Sequence, residues 1–374
     1  MLFHIFSPGR EFALLSGRLS APACKLAADA RYTLMLSMYI AEEEVRSLLT
    51  YEALIPAMRE ALIDYSAGRV EQPPRMVLRV NPQPGDRDMG ASAEAAGNGW
   101  FAVMPVIYRD VMGVKTVTFF PGNADLDPNL GLHTHLAVIE LLSRETGEPL
   151  ALMDGRLITE MRTAAVSAVS LDALAAPDVT SLGILGAGVQ ARSHLEALRR
   201  VRPGLRDVRI WSRNPANAER LAAEAKGPGF PVSHPLRKER EEGGARGDIR
   251  ATSIEEAAAA DVVLTVTASP TPVLQGRWLQ PDALVLAVGA VGAQLRELDD
   301  EAVQTSWVVA ESRQGVEREA GDVVLSGARV EAEIGEILAA AAFPVPRGRR
   351  ILFKSVGMAI EDLVAARQVW KSRV

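Results

Sequence analysis

The chain has 374 residues, 48% hydrophobic and 24% charged, with 41 basic against 47 acidic side chains and a formal net charge of −6. That balance excludes a disordered or fibrous chain and argues against nucleic-acid or anionic-membrane partners, which need a concentrated positive field. A small molecule is left as the expected partner, and the single cysteine, Cys24, which has no partner for an internal disulfide, fits a reducing, cytoplasmic setting.

Residues 1–40 read as an N-terminal extension. Their apolar runs, Met1 to Phe6 and Leu34 to Met38, fall short of the roughly 20 apolar residues of a spanning helix, so no membrane partner is expected. From Glu42 to Ser66 apolar residues recur at helical spacing (Val45, Leu48, Leu49, then Leu54, Ile55, Met58, Leu62), which predicts two helices. Strands follow at Met76 to Val80, Trp100 to Tyr108, Val114 to Phe120 and Leu150 to Met153, with a polar loop from Gly85 to Gly99. An alanine-rich helix is predicted over Leu157 to Leu174 and ends before Pro177.

Beyond Pro177 strands and helices alternate, the pattern of a parallel, doubly wound sheet. Strands are expected at Ser181 to Leu185, Asp207 to Trp211, Val262 to Val266, Leu284 to Val288 and Trp307 to Ala310, and helices starting at Gly188, Pro215 and Ser253. Lys226 to Arg250 reads as an enlarged surface loop. This sheet is complete by Asp322 on this reading, and helical patterns at Glu331 to Ala340 and Val356 to Trp370 return to the first half. The fold class is α/β, a Rossmann-type doubly wound domain over 178–325 plus a smaller α+β substrate domain over 41–177, joined by the tail 326–374.

The strand Leu182 to Leu185 runs into Gly186-Ala187-Gly188-Val189-Gln190-Ala191, and an amphipathic helix starts inside that loop. Gly186 permits the tight turn, Gly188 lets backbone approach a pyrophosphate, and Ala191 sits where helix and strand pack closely. Free amides at the helix start face the phosphates, so a nicotinamide dinucleotide is the expected cofactor, with Gly186, Ala187, Gly188, Val189 and Gln190 around it. After the second strand stands Trp211-Ser212-Arg213-Asn214, with no acidic residue to hold a ribose 2′-hydroxyl. The guanidinium, hydroxyl and amide of Ser212, Arg213 and Asn214 suit a 2′-phosphate, so NADP(H) is expected ahead of NAD(H).

Several ordered motifs together resemble the ornithine cyclodeaminase/mu-crystallin family: Met153-Asp154-Gly155, Ile158-Thr159, Arg162 to Ala168, the Gly-Ala-Gly-Val-Gln-Ala loop, Thr265-Val266-Thr267 and Ala287-Val288-Gly289. Arg296-Glu297-Leu298-Asp299, Gly321-Asp322-Val323, Leu325-Ser326-Gly327 and Phe353 to Ala359 complete the pattern. The resemblance implies a homodimer, a split substrate and dimerisation domain, and further cofactor contacts at Thr265, Val266, Thr267, Val288, Gly289 and Met358. It also implies hydride chemistry at a carbon that bears nitrogen and lies beside a carboxylate.

The family's carboxylate-binding arginines fall on Arg75 and Arg162, its lysine on Lys115, and a small hydroxyl residue of the active-site mouth on Thr134. Planar guanidinium holds a carboxylate in two bonds, and a desolvated lysine can protonate an imine nitrogen. His135 is a further candidate, Asp154 and Glu361 read as structural, and no metal is expected. Where ornithine cyclodeaminases carry an aspartate after Thr-Val-Thr-Ala, this chain has Ser269, a poor general base near neutrality. The expected reaction is NAD(P)H-dependent reduction of a cyclic ketimine carboxylate. A cyclodeaminase-type lyase, an alanine or opine dehydrogenase and a non-catalytic nucleotide binder stay open as alternatives.

Overall fold

A computed structural model describes residues 39–80, 99–120, 122–123, 133–227, 230 and 247–373. The extension up to residue 38 with Cys24, the loop at 81–98 and most of the loop expected at 226–250 lie outside the described residues.

After the two-residue strand β1 (Tyr39–Ile40), helices α1 (Glu42–Leu48) and α2 (Tyr51–Ser66) occupy the stretch whose apolar spacing calls for them. Leu54, Met58, Ala61 and Leu62 form the buried stripe of α2. Next come β2 (Met76–Arg79), β3 (Trp100–Tyr108), β4 (Val111–Phe119), β5 (His135–Ser143) and β6 (Pro149–Asp154), in a sheet of order β1-β6-β5-β4-β3-β2. Neighbours from β2 to β6 are antiparallel.

Periodicity leaves residues 135–143 unassigned, yet β5 sits between β4 and β6. The reason lies in its second face. Ala137, Ile139 and Leu141 are buried, but the alternate positions Leu136 and Val138 are apolar too, and they are exposed. A strand with both faces apolar loses the alternation that would reveal it.

Helix α3 (Arg156–Leu174) is buried over most of its length, and its small residues allow close neighbours on several sides. It touches α2 and β5 as well as elements of the second half. That half runs β7 (Ser181–Leu185), α4 (Val189–Val201), β8 (Asp207–Trp211), α5 (Pro215–Lys226), β9 (Ile249–Ala251), α6 (Ile254–Ala258), β10 (Val262–Thr265) and β11 (Leu284–Ala287). It continues through α7 (Asp300–Gln304), β12 (Trp307–Ala310), α8 (Arg313–Glu319), α9 (Gly321–Ser326), β13 (Ala332–Glu333), α10 (Ile334–Ala339), β14 (Ile351–Lys354) and α11 (Ala359–Arg373).

The eight strands are ordered β13-β12-β14-β11-β10-β7-β8-β9, and all the registered pairs are parallel. β7, β10, β11 and β14 are buried at every position, as parallel strands covered on both faces are. The chain moves outward from β7 to β8 and β9, then returns to the other side of β7 as β10. That reversal opens a crevice beyond the carboxyl ends of β7 and β10, where ligands of such sheets bind.

The expectation that the parallel sheet is complete by Asp322 needs correction. β14 comes from the tail and inserts between β11 and β12. It carries only four strand residues, all apolar except Lys354, too short a run to stand out between loops and helical patterns. β14 leads directly to α11, which packs on α2, α3, β3 and β4. Residues 355–358 therefore join the edge of the parallel sheet to the first half of the molecule.

Candidate active site

Lys115 lies on the inward face of β4, between Gly113 and Val117, and is 3% exposed. Gly113 admits α11 here, because a Cβ at that position would lie 2.9 Å from Leu363 Cδ1 and 2.4 Å from Glu140 O. α11 supplies the partner. Lys115 Nζ donates to Asp362 Oδ2 at 2.9 Å, and Arg162 Nε, from α3, donates to Asp362 Oδ1 at 3.0 Å. Arg162 Nη1 donates to Glu361 Oε2 at 2.5 Å.

Arg75 enters from the segment before β2. Its Nε pairs with Glu319 at 2.8 Å, and its Nη2 donates to the carbonyls of Val356 and Gly357 at 2.5 and 2.6 Å. Gly357 has φ +79°, and a Cβ there would lie 2.8 Å from Arg162 Nη2. Both the conformation and the space demand glycine at this point. The structure thus brings Arg75, Lys115 and Arg162 together around Asp362 and Gly357, from three segments distant in sequence.

Burial pulls the Lys115 ammonium down to a pKa of about 8; Asp362 opposes that fall and Arg162 adds to it. Burial pushes Asp362 up, but Arg162 and Lys115 outweigh it and hold the carboxyl below its usual range. Lys115 is therefore poised to exchange a proton near neutrality, over a carboxylate that stays charged.

Thr134 and His135 stand where β5 begins. Thr134 Oγ1 and His135 Nδ1 are 3.3 Å apart, and the imidazole packs on Phe119 with ring centroids 4.4 Å apart. Desolvation and the charge of Lys115 lower the His135 pKa to about 4, so this ring is neutral at pH 7 and is no ready acid. Asp154, read as structural, accepts from the Arg156 amide at the start of α3.

At the carboxyl edge of the parallel sheet, Gly186 has φ +123°, and a Cβ there would lie 2.8 Å from Val266 O. Gly188 caps α4 without a side-chain bond, nothing stands within 4 Å of where its Cβ would be, and Ala191 is fully buried. The uncapped amides, the open space at Gly188 and the buried Gln190 Oε1, which has no partner among the described residues, fit a pyrophosphate. Ala187 is half-buried and Val189 is exposed beside them.

Beyond β8, Arg213 is exposed, Ser212 is half-buried, and the Asn214 side chain accepts from the Ala216 amide as the cap of α5. Asn214 thus serves the helix first, leaving its amide nitrogen for a ligand.

Thr265 ends β10, and Val266, Thr267, Val288 and Gly289 lie in the loops after β10 and β11. Their arrangement depends on Glu297, to which sequence reasoning gave no role. Glu297 is fully buried and accepts from Thr265 Oγ1 (2.8 Å), Thr267 N (2.5 Å), Thr267 Oγ1 (2.7 Å), Gly289 N (2.8 Å) and Ala290 N (3.2 Å). Burial raises its pKa, while Lys354 opposes the rise. Asp322 accepts from the Glu297 and Leu298 amides at 2.7 and 2.9 Å and pairs with Lys354 at 2.8 Å. The threonine hydroxyls are therefore spent inside the protein, and the loops offer backbone to a ligand. Met358 is buried in the segment joining β14 to α11.

Sequence reasoning also gave no role to Asp362 and Glu319, the carboxylates facing Lys115 and Arg75. The signal for Asp362 was present in Ala359-Ile360-Glu361-Asp362-Leu363-Val364, two acids in an otherwise apolar run. Ser269 donates its hydroxyl to Thr271 O at 2.7 Å, an arrangement that lends it no base.

The profile of the ornithine cyclodeaminase/mu-crystallin family matches residues 35–374. The chain is 37% identical to the ketimine reductase mu-crystallin of Macropus fuliginosus over 338 residues, which cover 88% of this chain and 95% of that protein. Among solved structures it is similar to the Thermococcus litoralis Δ1-pyrroline-2-carboxylate reductase in complex with NADH and L-proline, at TM-score 0.75 and 31% identity, over 90% of this chain and 97% of that one. It is also similar to an archaeal alanine dehydrogenase dimer with bound NAD, at TM-score 0.75 and 27% identity, over 90% and 95% of the two chains.

Proposed function

The chain belongs to the ornithine cyclodeaminase/mu-crystallin family, and from that premise we propose that it is an NAD(P)H-dependent reductase of cyclic imines that carry a carboxylate beside the C=N bond. The observation that carries this reading is the convergence of Arg75, Lys115 and Arg162 on Asp362 and Gly357, next to the segment that leaves the cofactor edge. Relatives named for ketimine and pyrroline carboxylate reduction support it.

Arg75 and Arg162 bind the substrate carboxylate, each already held in place by an internal carboxylate or carbonyl, so little side-chain entropy is lost on binding. Lys115, as ammonium, donates to the imine nitrogen and leaves the proton there as the nitrogen becomes an amine. Asp362 keeps that ammonium aimed and charged. Gly186, Gly188 and the first amides of α4 would hold the pyrophosphate of a nicotinamide dinucleotide, with the loops fixed by Glu297 beside it, and that cofactor would supply the hydride for the imine carbon. The substrate side is assigned to 41–177 with the tail 326–374 less its strands β13 and β14, which join the dinucleotide side at 178–325.

Thr134 lines the mouth of the site in this reading. NADPH is preferred to NADH, because Arg213 and Ser212 replace the acid that would bind a free ribose 2′-hydroxyl. The protein works as a homodimer in the cytoplasm. The exposed apolar residues Met76, Val77, Leu78, Leu136, Val138 and Leu152 of the first sheet support self-association, and the lone Cys24 suits that compartment.

The test is oxidation of NADPH and NADH by the purified protein with Δ1-pyrroline-2-carboxylate and Δ1-piperideine-2-carboxylate, beside ammonia release from ornithine. Cofactor oxidation that needs the imine supports the reductase. Ammonia and proline from ornithine without net cofactor use would assign a lyase instead, and inactivity with both imines overturns the proposal.

A further inference from the structure

Behind Arg162 lies a second carboxylate that the reaction as described leaves without a part. Glu311 follows β12 and is 1% exposed; Glu361, on α11, is fully buried. Glu311 accepts from Ser355 Oγ at 2.6 Å, Gly357 N at 2.6 Å and Val356 N at 3.2 Å. Glu361 gives Oε2 to Arg162, whereas its Oε1 is buried with no donor among the described residues, and the Glu311 carboxyl is a close charged neighbour of Glu361.

A buried acceptor with no protein donor, beside another buried acceptor, is an arrangement that a proton between them makes favourable. Resting on the imine-reductase reading of this site, we propose that Glu361 keeps one proton, given in a hydrogen bond to Glu311, and that this proton sets how much positive charge Arg162 presents to the substrate carboxylate. Both glutamates are positioning residues, acting through Arg162 and through Gly357, whose amide Glu311 holds.

The charges around the pair give the reason. Arg162 from α3 and Lys115 from β4 face Asp362 and Glu361 on α11 and Glu311 after β12, while Arg75 is balanced by Glu319. Tyr65, from α2, adds a hydroxyl bonded to Ser312 Oγ at 2.6 Å and no charge at neutral pH. With every carboxyl ionised, two cations stand against three anions and the pocket repels an incoming carboxylate. One proton on the pair removes that excess. Burial and the Glu311 charge push the Glu361 carboxyl well above the usual range, and Arg162 opposes them.

Infrared spectra of the wild type at neutral pH are expected to show the carbonyl stretch of a buried protonated carboxyl, shifting in heavy water and lost in Glu361→Gln. Pyrrole-2-carboxylate, a planar anion of constant charge in this range, serves as the binding probe. Its inhibition or dissociation constant is expected to rise about tenfold or more from mildly acidic to mildly alkaline pH in the wild type as the pair loses its proton. In Glu361→Gln, the isostere of the protonated acid, only the step of Lys115 near pH 8 remains in that profile, and Glu311→Gln is expected to do the same should the first variant fail to fold. Absence of the band, absence of probe binding, or a Gln variant that follows the wild-type profile overturns the proposal. Band and probe binding need no turnover, so their presence in a protein that reduces no imine would sink the functional reading while supporting the retained proton.

Discussion

At the carboxyl edge of the parallel sheet, recognition is made of backbone: glycines at Gly186 and Gly188, uncapped amides of α4, and two loops tied to one buried Glu297. In the pocket between β4, α3 and α11 it is made of side chains, Lys115, Arg162 and Arg75, each with an acid from elsewhere in the chain. A backbone site is fixed by local conformation and tolerates exchange of exposed side chains. A side-chain site exists only when distant elements meet, and each buried charge in it is costly without its partner. Substitutions on the two sides should therefore fail in different ways, one through cofactor binding and one through chemistry.

The sharpest break is expected from Lys115→Ala. Loss of the proton donor should lower imine reduction by about 10²- to 10⁴-fold, the usual contribution of a positioned acid. Binding of NAD(P)H, followed by its fluorescence, should hardly change, and a matching loss of cofactor affinity would contradict the division of labour. In the wild type kcat should fall as pH rises through about 8, because burial lowers the Lys115 pKa and the ammonium is the donating form. Activity that rises through that range would assign Lys115 the role of a base.

Gly289→Ala tests the opposite side. A Cβ there would lie 2.2 Å from Thr267 O and 2.6 Å from Glu297 Oε1, so the loops must separate, at about 1–3 kcal/mol. The thermal midpoint should drop and the KM for NAD(P)H should rise, while the KM for the imine moves less. An unchanged cofactor KM in a folded variant would remove Glu297 and its loops from the cofactor site.

The backbone side was the legible one. Strand β7, the glycine loop and the start of α4 are contiguous, so residues 181–201 carry their own diagnosis, and β7, β8 and β12 lie where their apolar runs indicate. The side-chain pocket is assembled from residues near 75, 115, 162, 319 and 361, and no local pattern connects them; family resemblance pointed to the three cations. Their acids carried a weaker signal, because Glu361 and Asp362 break the apolar first turns of α11 just as a capping or surface charge would. β5 and β14 escaped for a related reason: apolar residues on both faces, or a run of four, carry no period.

Arg75→Lys sharpens the comparison within the charged pocket. Lysine keeps the charge but cannot hold Glu319 and the Val356 and Gly357 carbonyls while also gripping a carboxylate in two bonds. The KM for the imine should rise about tenfold, the loss of roughly one good charge-assisted bond, with kcat little altered. A fall in kcat at constant KM would place Arg75 in the transition state alone and not in substrate binding.

The smallest effect is expected where a side chain serves the backbone site. Arg213 is exposed beyond β8, free of the packing that makes the pocket cations hard to replace. Arg213→Ala should raise the KM for NADPH by about fivefold, the value of a solvent-screened charge-assisted contact near 1 kcal/mol, and leave that for NADH unchanged. The difference between the two cofactors is the readout, since folding defects or loop shifts would weaken both together. Equal effects on both would show that the residues after β8 hold the ribose without reading its 2′-phosphate, and the preference for NADPH would fall while the glycine loop kept its place.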